Sequence, residues 1–237
     1  MDCLLLRLDA PLMSFGGVLD ESGNPTERFP GRSLLTGLLA NALGWDHRDR
    51  EALQRMQARL RHAARWDAEP ERLIDYHTVD FSQPMFQDTG WTTRGHREDR
   101  KGGTASDRTH QRYRHYWAGG VCTTAMMVLD ESSPSLEDLE RALREPTRPL
   151  FIGRKTCLPA GPLLLGRRVV DNLRQALERE PLAEIGPRKK PARIEAMWPI
   201  EDGVGEQTLR REDLRDWPNN LHRGVSEYAV GFLEIST

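Results

Sequence analysis

The stretch CLLLRL, residues 3–8, predicts a strand at the start of the fold. Five of its six residues are apolar, and Asp9, Ala10 and Pro11 end the run. A short apolar run that stops at a turn signal is typical of a buried strand. We therefore expect these residues to enter the core, and the other elements are placed relative to them.

A strong helix pattern follows a loop rich in glycine and proline. Leucine and alanine recur at helical spacing from Ser33 to Trp45, which predicts an amphipathic helix. Ser33 is the expected N-cap, and Gly44 is the expected residue at the C-terminal end. Gly37 lowers helix propensity inside the pattern, which predicts close packing against a neighbour.

The middle of the chain predicts a second helix and two strands. Helical spacing begins at Asp49 and ends before Ala64, where the pattern changes to that of a strand, and a further strand pattern spans residues 73–80. The turn residues Glu69 and Pro70 lie between the two strand patterns, so the two strands could pair as a hairpin.

The next elements are a strand, a short helix and another strand. Residues 121–129 form a clear strand pattern, and residues 163–165 predict a later one. Between them, Ser135 and Asp138 have the spacing of a capping box at the start of a helix that ends before Pro146.

The predicted order is strand, helix, strand, strand, helix, strand. This is the order of a ferredoxin-like α+β domain, which RNA-recognition modules share. A long polar segment, residues 81–120, is inserted between the middle strands. We expect residues 1–167 to form this domain. Residues 168–237 should form a smaller β-rich unit, with one helix over 171–180 and strand patterns at 193–198 and 227–235.

The composition excludes several classes of protein. Of 237 residues, 38% are hydrophobic and 30% are charged, with a net charge of −2. Cys3, Cys122 and Cys157 are widely spaced, which argues against a zinc site or a disulfide framework and favours a reducing compartment. No apolar run is long enough for a signal peptide or a membrane span. We expect a cytoplasmic protein without a metal or a cofactor.

The segment Arg94–Trp117 is basic, although the chain as a whole is weakly acidic. It contains seven Lys/Arg and three acids, a net of +4. A basic segment on an acidic body indicates a local anion site, although a solvated loop is the alternative interpretation.

The second half of this segment has the alternation of a strand. One side of that strand would carry Arg108, His110, Arg112, Arg114 and Tyr116, and the other side would carry Tyr113, His115 and Trp117. Guanidinium groups bind phosphate in a bidentate manner, and aromatic rings stack on unpaired bases. We favour nucleic-acid binding by this strand over a solvated loop.

Two other segments are candidates for anion contacts. Arg28, Arg32 and Ser33 precede the helix N-terminus, which favours phosphate, although simple capping by Ser33 is the alternative. Arg154 and Lys155 lie in a loop rich in glycine and proline. That loop lacks the spacing of a Walker motif, and a tight turn between strands is its alternative interpretation.

Catalysis is a weaker interpretation of the same region. A metal-independent ribonuclease needs a general base and a cation, and His77, His110, His115 and Lys101 are the available residues. A structural or RNA-contacting role is the preferred interpretation of His77. A protein–protein adaptor whose basic arm meets an acidic partner is a third hypothesis.

Four motifs in order resemble the CasD family, the repeat-associated subunit of the type I-E Cascade CRISPR surveillance complex. They are LLLRLDAPLMSFG (4–16), RFPGRSLLTGLLANALGW (28–45), DYHTV (75–79) and GRKTCLPAGPLLLG (153–166). The resemblance covers residues 3–167, and it implies a ferredoxin-like palm with a β-hairpin thumb at about 81–120 and a small C-terminal β-domain.

The resemblance also implies a non-catalytic role and a set of partners. The subunit would bind the 5′ handle of CRISPR RNA and cap one end of the complex. There it would contact the backbone subunit and the large subunit, and it would meet target DNA only indirectly. In the related type I-C systems the corresponding subunit is an endoribonuclease that uses a Tyr, a Lys and a His, and Tyr76, Lys101 and His115 are the candidates for that alternative here.

The resemblance assigns roles to individual residues. Arg114 matches the arginine at the base of the thumb, and Phe15 matches the aromatic residue after the first strand. The segment with Arg28, Arg32 and Ser33 and the loop with Arg154 and Lys155 match handle-binding segments. Gly31 stands where a larger polar residue is usual.

Overall fold

The computed structural model describes residues 1–17, 23–80, 90–91, 97–98 and 109–234. The helices are α1 (Arg32–Leu43), α2 (Arg50–Arg59), α3 (Leu136–Arg144) and α4 (Leu173–Arg179), with a 3₁₀ turn at Ile200–Asp202. The strands are β1 (Asp2–Asp9), β2 (Leu12–Met13), β3 (Gly23–Asn24), β4 (Leu60–Ala68), β5 (Glu71–Asp80), β6 (Gly90–Trp91), β7 (Arg97–Glu98), β8 (Thr109–Ala118), β9 (Val121–Val128), β10 (Leu164–Val169), β11 (Ile194–Pro199), β12 (Gln207–Arg211), β13 (Arg215–Asp216), β14 (Leu221–His222) and β15 (Ser226–Leu233).

One antiparallel sheet of seven strands forms the centre of the molecule, in the order β10-β1-β9-β4-β11-β15-β12. β1 pairs with β9 and with β10. The prediction of a buried strand from CLLLRL is confirmed, because every leucine and the cysteine in this stretch are fully buried.

Helices cover both faces of this sheet, which explains why β1 is apolar without alternation. Successive side chains of a strand point to opposite faces. Leu4, Leu6 and Leu8 belong to the core with α1, α2 and α3, whereas Cys3 and Leu5 belong to the core with α4. The expected mixture of helices and antiparallel strands is therefore confirmed.

The start of α1 differs from the sequence prediction, and the prediction that Ser33 caps it is wrong. The N-cap is Gly31, which offers no side chain for capping. The carboxylate of Asp213 instead accepts a hydrogen bond from the Arg32 amide at 3.0 Å, and the Asp213 carbonyl accepts one from the Ser33 amide at 3.1 Å. The cap comes from a residue that is remote in sequence, so local spacing could not reveal it.

Two other predicted helix ends are confirmed. Gly44 ends α1 in the left-handed conformation, with φ of 82°. Ser135 and Asp138 form the capping box of α3, because the Ser135 hydroxyl accepts from the Asp138 amide and the Asp138 carboxylate accepts from the Ser135 amide.

The hairpin suggested for the two strands on either side of Pro70 does not form. β4 pairs with β9 and β11 inside the central sheet, whereas β5 leaves that sheet and forms a ten-residue ladder with β8. β2 and β3 also pair with β8. Strands β5 and β8 form an antiparallel pair that we call the arm. Its first strand, β5, ends at Asp80 and so lies before the predicted thumb range of 81–120. The predicted tip around Lys101 lies outside the described residues.

The C-terminal part of the chain contributes three strands to the same central sheet. β11 pairs with β4, and β15 joins β11 to β12. The predicted boundary at residues 167 and 168 falls inside β10, and the division into two units stays a prediction.

A fully buried ion pair connects the C-terminal part to the sheet. Arg65 on β4 contacts Asp67 at 2.7 Å, and both side chains have no solvent exposure. The Arg65 guanidinium also donates to the carbonyls of Leu177, Glu180 and Pro181 at the end of α4. Asp67 in turn accepts hydrogen bonds from the Thr123 hydroxyl and the Ala183 amide.

Two further properties concern the described residues only. None of their helices is long and apolar enough to cross a membrane. Within the same ranges, no group of three or more His, Cys, Asp or Glu side chains is arranged to hold a metal ion.

We predict that Arg65→Leu destabilises the fold strongly. The change removes the buried cation that contacts Asp67 at 2.7 Å and leaves only the longer contact with Arg7 at 3.6 Å. Breaking a buried pair in this way costs about 3–5 kcal/mol of unfolding free energy. Urea unfolding at pH 7 measures this loss. The control is Arg48→Leu, which removes an ion-pair partner whose side chain is 90% exposed, and it should leave the unfolding midpoint unchanged.

A second variant isolates the charge. Arg65→Leu combined with Asp67→Leu should lose less stability than Arg65→Leu alone, because no unpaired buried charge remains. Equal midpoints for Arg65→Leu and Arg48→Leu would contradict this account of the ion pair.

Candidate nucleic-acid interface

An open groove of about 1050 Å³ lies beside helix α1. One wall is the exposed side of α1, and the others are loop 14–17, the loop over residues 148–158 and the segment from Arg211 to Trp217. Gly37 lies on the helix wall. The predicted close packing at Gly37 is wrong, because outside its own helix backbone no atom of the described residues lies within 4 Å of the position that a side chain would occupy. Its missing side chain leaves the groove open.

The loop over residues 148–158, which we call the basic loop, approaches the end of β2 very closely. The Ser14 amide donates to the Ile152 carbonyl at 3.2 Å. Gly153 has φ of 92°, and a Cβ atom at this position would lie 1.6 Å from the Ser14 carbonyl oxygen. Only glycine permits this approach, which fixes the basic loop against the wall of the groove.

Arg154 links the basic loop to the base of the arm. Its guanidinium donates to the His115 carbonyl at 2.9 Å and lies 4.5 Å from the centre of the Tyr116 ring. Tyr116 is only 4% exposed, so its ring supports Arg154 from the core. Lys155 is exposed beside it and has no ion pair or hydrogen bond within the described part of the chain.

The groove combines an apolar lining with charged residues. Leu34, Leu38, Trp45, Phe151 and Leu158 contribute apolar surface. Arg148, Arg154, Lys155 and Arg215 contribute positive charge, and Glu27, Asp46, Glu212 and Asp213 contribute negative charge.

Two of these acids have internal partners: Asp46 pairs with Arg48, and Asp213 caps α1. Burial opposes the ionisation of Asp213, but the hydrogen bond from the Arg32 amide and nearby positive charges hold its pKa below the usual value.

Phe15, Ser33, Arg154 and Lys155 are four of the predicted site residues, and the fold brings them together along this groove. Phe15 is only 3% exposed, and its ring centre lies 5.7 Å from that of Trp66. In this arrangement Phe15 therefore does not offer its ring for stacking on a base.

The structure separates Arg28 from this group. Its guanidinium contacts Glu195 at 2.6 Å and Glu69 at 3.1 Å. It also lies 5.2 Å from the ring centre of Trp66 and 5.4 Å from that of Trp117. These contacts join the arm base to the central sheet, so a structural role accounts for the position of Arg28. Its predicted RNA contact stays a prediction.

Arg32 and Ser33 also point away from a shared phosphate site. Arg32 lines a different, smaller cavity, whereas Ser33 lines the groove. Asp213 already accepts hydrogen bonds from the backbone N–H groups of Arg32 and Ser33. A phosphate at this helix start would therefore compete with Asp213 for the same donors.

The arm carries the remaining candidates on its two faces. Arg112 and Arg114 lie on one face of β8. In the strand ladder Arg112 pairs with His77 of β5, and Arg114 pairs with Asp75. Tyr113 lies on the other face, where its ring stacks on Tyr76 with a centre-to-centre distance of 5.0 Å. Tyr113 is 40% exposed and Tyr76 is 49% exposed, so this pair offers an aromatic platform to solvent. The sequence did not suggest Tyr76 as a stacking residue, because its pairing with Tyr113 depends on the strand register.

The histidines that suggested catalysis have local partners. His77 Nε2 contacts Asp75 at 2.5 Å, and His115 Nδ1 accepts a hydrogen bond from Arg72 Nε at 3.2 Å. Arg108 and Lys101 lie outside the described residues, and His110 has no described side chain. The endoribonuclease alternative therefore gains no support from the described residues.

Comparison with known proteins gives concordant results for sequence and fold. CasD of Escherichia coli (strain K12), described as a CRISPR system Cascade subunit, is 31% identical over 182 residues, which cover 73% of this chain and 75% of that protein. A chain of a CRISPR RNA-guided surveillance complex superposes with a TM-score of 0.68 at 26% identity, covering 98% of this chain and 90% of that chain.

A second solved structure supports the fold alone. A crystal structure of a Cas protein superposes with a TM-score of 0.62 at 22% identity, covering 99% of this chain and 98% of that chain. The family model described as CRISPR-associated protein (Cas_Cas5) matches residues 3–230, which is nearly the whole chain. The chain therefore belongs to the Cas5 family of CRISPR-associated proteins.

Proposed function

We propose that this protein binds the 5′ handle of CRISPR RNA in the groove beside α1 and under the arm, as a structural subunit of a Cascade complex. The observation that carries the proposal is the convergence of Ser33, Arg154 and Lys155 on an open groove with an apolar lining. Single-stranded RNA is held by contacts of this kind, since phosphates require cations and unstacked bases require flat apolar surfaces.

The arm supports the proposal because it carries two kinds of contact and its base touches the basic loop of the groove. Arg112 and Arg114 supply positive charge on one face, and the Tyr76–Tyr113 pair supplies aromatic surface on the other. Arg154 connects the arm to the basic loop. A strand of RNA that leaves the groove would therefore meet the arm next.

The finer architecture and the partners belong to the same proposal. The sheet order β10-β1-β9-β4, with α1 and α3 on one face, supports a ferredoxin-like palm, and the β5–β8 pair supports a thumb. We infer that residues 168–237 act as a small C-terminal unit on this palm. The protein would cap the backbone of the complex in the cytoplasm, next to the backbone subunit and the large subunit, and would serve antiviral defence without touching target DNA directly.

The arm arginines provide the first test. Arg112→Gln with Arg114→Gln should weaken binding of a labelled single-stranded RNA carrying the 5′ handle by about tenfold or more, since charge-assisted hydrogen bonds to phosphate are removed. The slope of log K against log salt should become shallower by about 0.7 for each phosphate that the variant no longer neutralises. Fluorescence anisotropy over a salt series measures both quantities.

The matched control removes the same charge elsewhere. Arg179 and Lys190 are exposed and lie outside the arm and the groove. The Arg179→Gln/Lys190→Gln variant should bind RNA like the unmodified protein. If both double variants keep the same affinity and the same salt slope, the arm does not bind RNA and the proposal fails there.

Gly153 provides the second test. Gly153→Ala forces the basic loop away from Ser14, because the added Cβ would overlap the Ser14 carbonyl oxygen. We expect RNA affinity to fall several-fold while circular dichroism shows a folded protein. Gly161→Ala is the control, since it adds the same methyl group near this loop where no atom lies within 4 Å. Equal RNA affinities for the two variants would show that the position of the basic loop does not matter.

A further inference from the structure

A second cavity, of about 380 Å³, lies next to the start of α1 and is distinct from the groove. Arg32, the first residue of α1, lines this cavity, whereas its neighbours Gly31 and Ser33 line the groove. Arg61 of β4 and Arg210 of β12 line the same cavity. Three arginines from remote parts of the chain therefore line one cavity.

Two of these arginines have no hydrogen-bond or ion-pair partner among the described residues. The side chains of Arg32 and Arg210 form no hydrogen bond or ion pair anywhere in the described ranges. The Nε atom of Arg32 is buried and unsatisfied. A buried donor without an acceptor is costly, so the folded chain leaves at this point a group that an external acceptor would satisfy.

The third arginine is held in place by backbone contacts. Arg61 Nη1 donates to the carbonyls of Ala58 at 3.1 Å and Leu60 at 3.0 Å. Burial and the nearby charge of Arg32 lower the pKa of Arg61. Arg32 also stands at the positive end of the α1 dipole, so the helix adds to the positive charge at this cavity.

The acidic residues of the cavity do not cancel this charge. Glu201 lies 3.9 Å from Arg61 Nε, which is too long for a hydrogen bond, and its side chain is 61% exposed. Glu227 lies across the strand pair from Arg210 but forms no ion pair with it in the described structure. The Tyr228 hydroxyl, which also borders the cavity, donates to Asp213 at 2.8 Å. Three arginines therefore line the cavity together with two glutamates, neither of which forms a hydrogen bond to them in the described structure.

We propose that this cavity binds a phosphate group, with Arg32, Arg61 and Arg210 as its ligands. Guanidinium groups match the geometry of phosphate oxygens, and the dipole of α1 favours a negative charge here. The volume lies within the range of small-ligand pockets, about 300–1000 Å³. It therefore admits a nucleotide as well as a bare phosphate, and the phosphate belongs either to a nucleic-acid strand or to a free nucleotide.

Inorganic phosphate and pyrophosphate are the first probes. Isothermal titration of the full-length protein at low ionic strength should show saturable binding. Arg210→Gln should weaken this binding by about tenfold or more, because it removes a charge-assisted contact and disturbs no internal partner. Arg210→Lys, which keeps the charge, should recover part of the affinity.

The control is Arg179→Gln, an exposed arginine outside the cavity, which should bind phosphate like the unmodified protein. Absence of saturable binding, or equal weakening by Arg210→Gln and Arg179→Gln, overturns the proposal. Matching unfolding midpoints for the variants confirm that unfolding does not explain the result.

Two further titrations identify the source of the phosphate. One uses a nucleoside 5′-monophosphate, and the other uses a short single-stranded RNA without terminal phosphates. If Arg210→Gln weakens binding of the nucleoside monophosphate, the ligand is a free nucleotide. If it weakens binding of the RNA, the ligand is a nucleic-acid strand. If it weakens neither, the proposal is overturned. The outcome is independent of the groove, because no variant of the arm or of the basic loop enters this test.

Discussion

The buried contact of Arg65 with Asp67 and with the end of α4 is the interaction on which the rest of the architecture depends. An arginine with no solvent exposure is tolerated only when its donors are satisfied, and here a carboxylate and three carbonyls satisfy them. The requirement fixes α4 against one face of the sheet. On the other face, Asp213 fixes the start of α1. Residues from the C-terminal part of the chain therefore hold both faces of a sheet whose first strand is at the N-terminus.

The groove follows from these constraints. Its helix wall is set by the Asp213 cap, and its opposite wall is the basic loop, which Gly153 allows to approach Ser14. The arm is set at its base by Arg28, which lies between two tryptophan rings and two glutamates, and by Arg154 on Tyr116. Arginine therefore has two roles in this protein. Some guanidinium groups hold the fold together, whereas those of Arg32 and Arg210 at the second cavity have no hydrogen-bond or ion-pair partner among the described residues.

The sequence predicted the elements whose signals are local. The strand CLLLRL, the helix that ends at Gly44 and the capping box at Ser135 all depend on neighbouring residues, and each is confirmed. The features that were wrong depend on contacts between remote residues. The N-cap of α1 comes from Asp213, and β5 pairs with β8, although the turn at Pro70 suggested β4 as its partner. A turn signal shows where the chain bends and not which strand it joins.

The same distinction applies to the candidate site. Four of its predicted residues line one groove. Ser33, Arg154 and Lys155 were suggested by their local sequence, and Phe15 was suggested by the resemblance alone. Spacing alone placed Arg28 and Arg32 together, but the fold directs one to glutamates and the other to a second cavity. Arg61 and Arg210 were not identified, since they are far apart in the sequence and only the sheet places both beside α1.

The most direct test is a reconstruction of the assembled CRISPR complex by electron cryo-microscopy, with this protein as its Cas5-family subunit. The account predicts density for the 5′ end of the RNA in the groove between α1 and the basic loop, continuing beneath the arm. Density for a protein segment in the groove, with the RNA running elsewhere on the subunit, would contradict it.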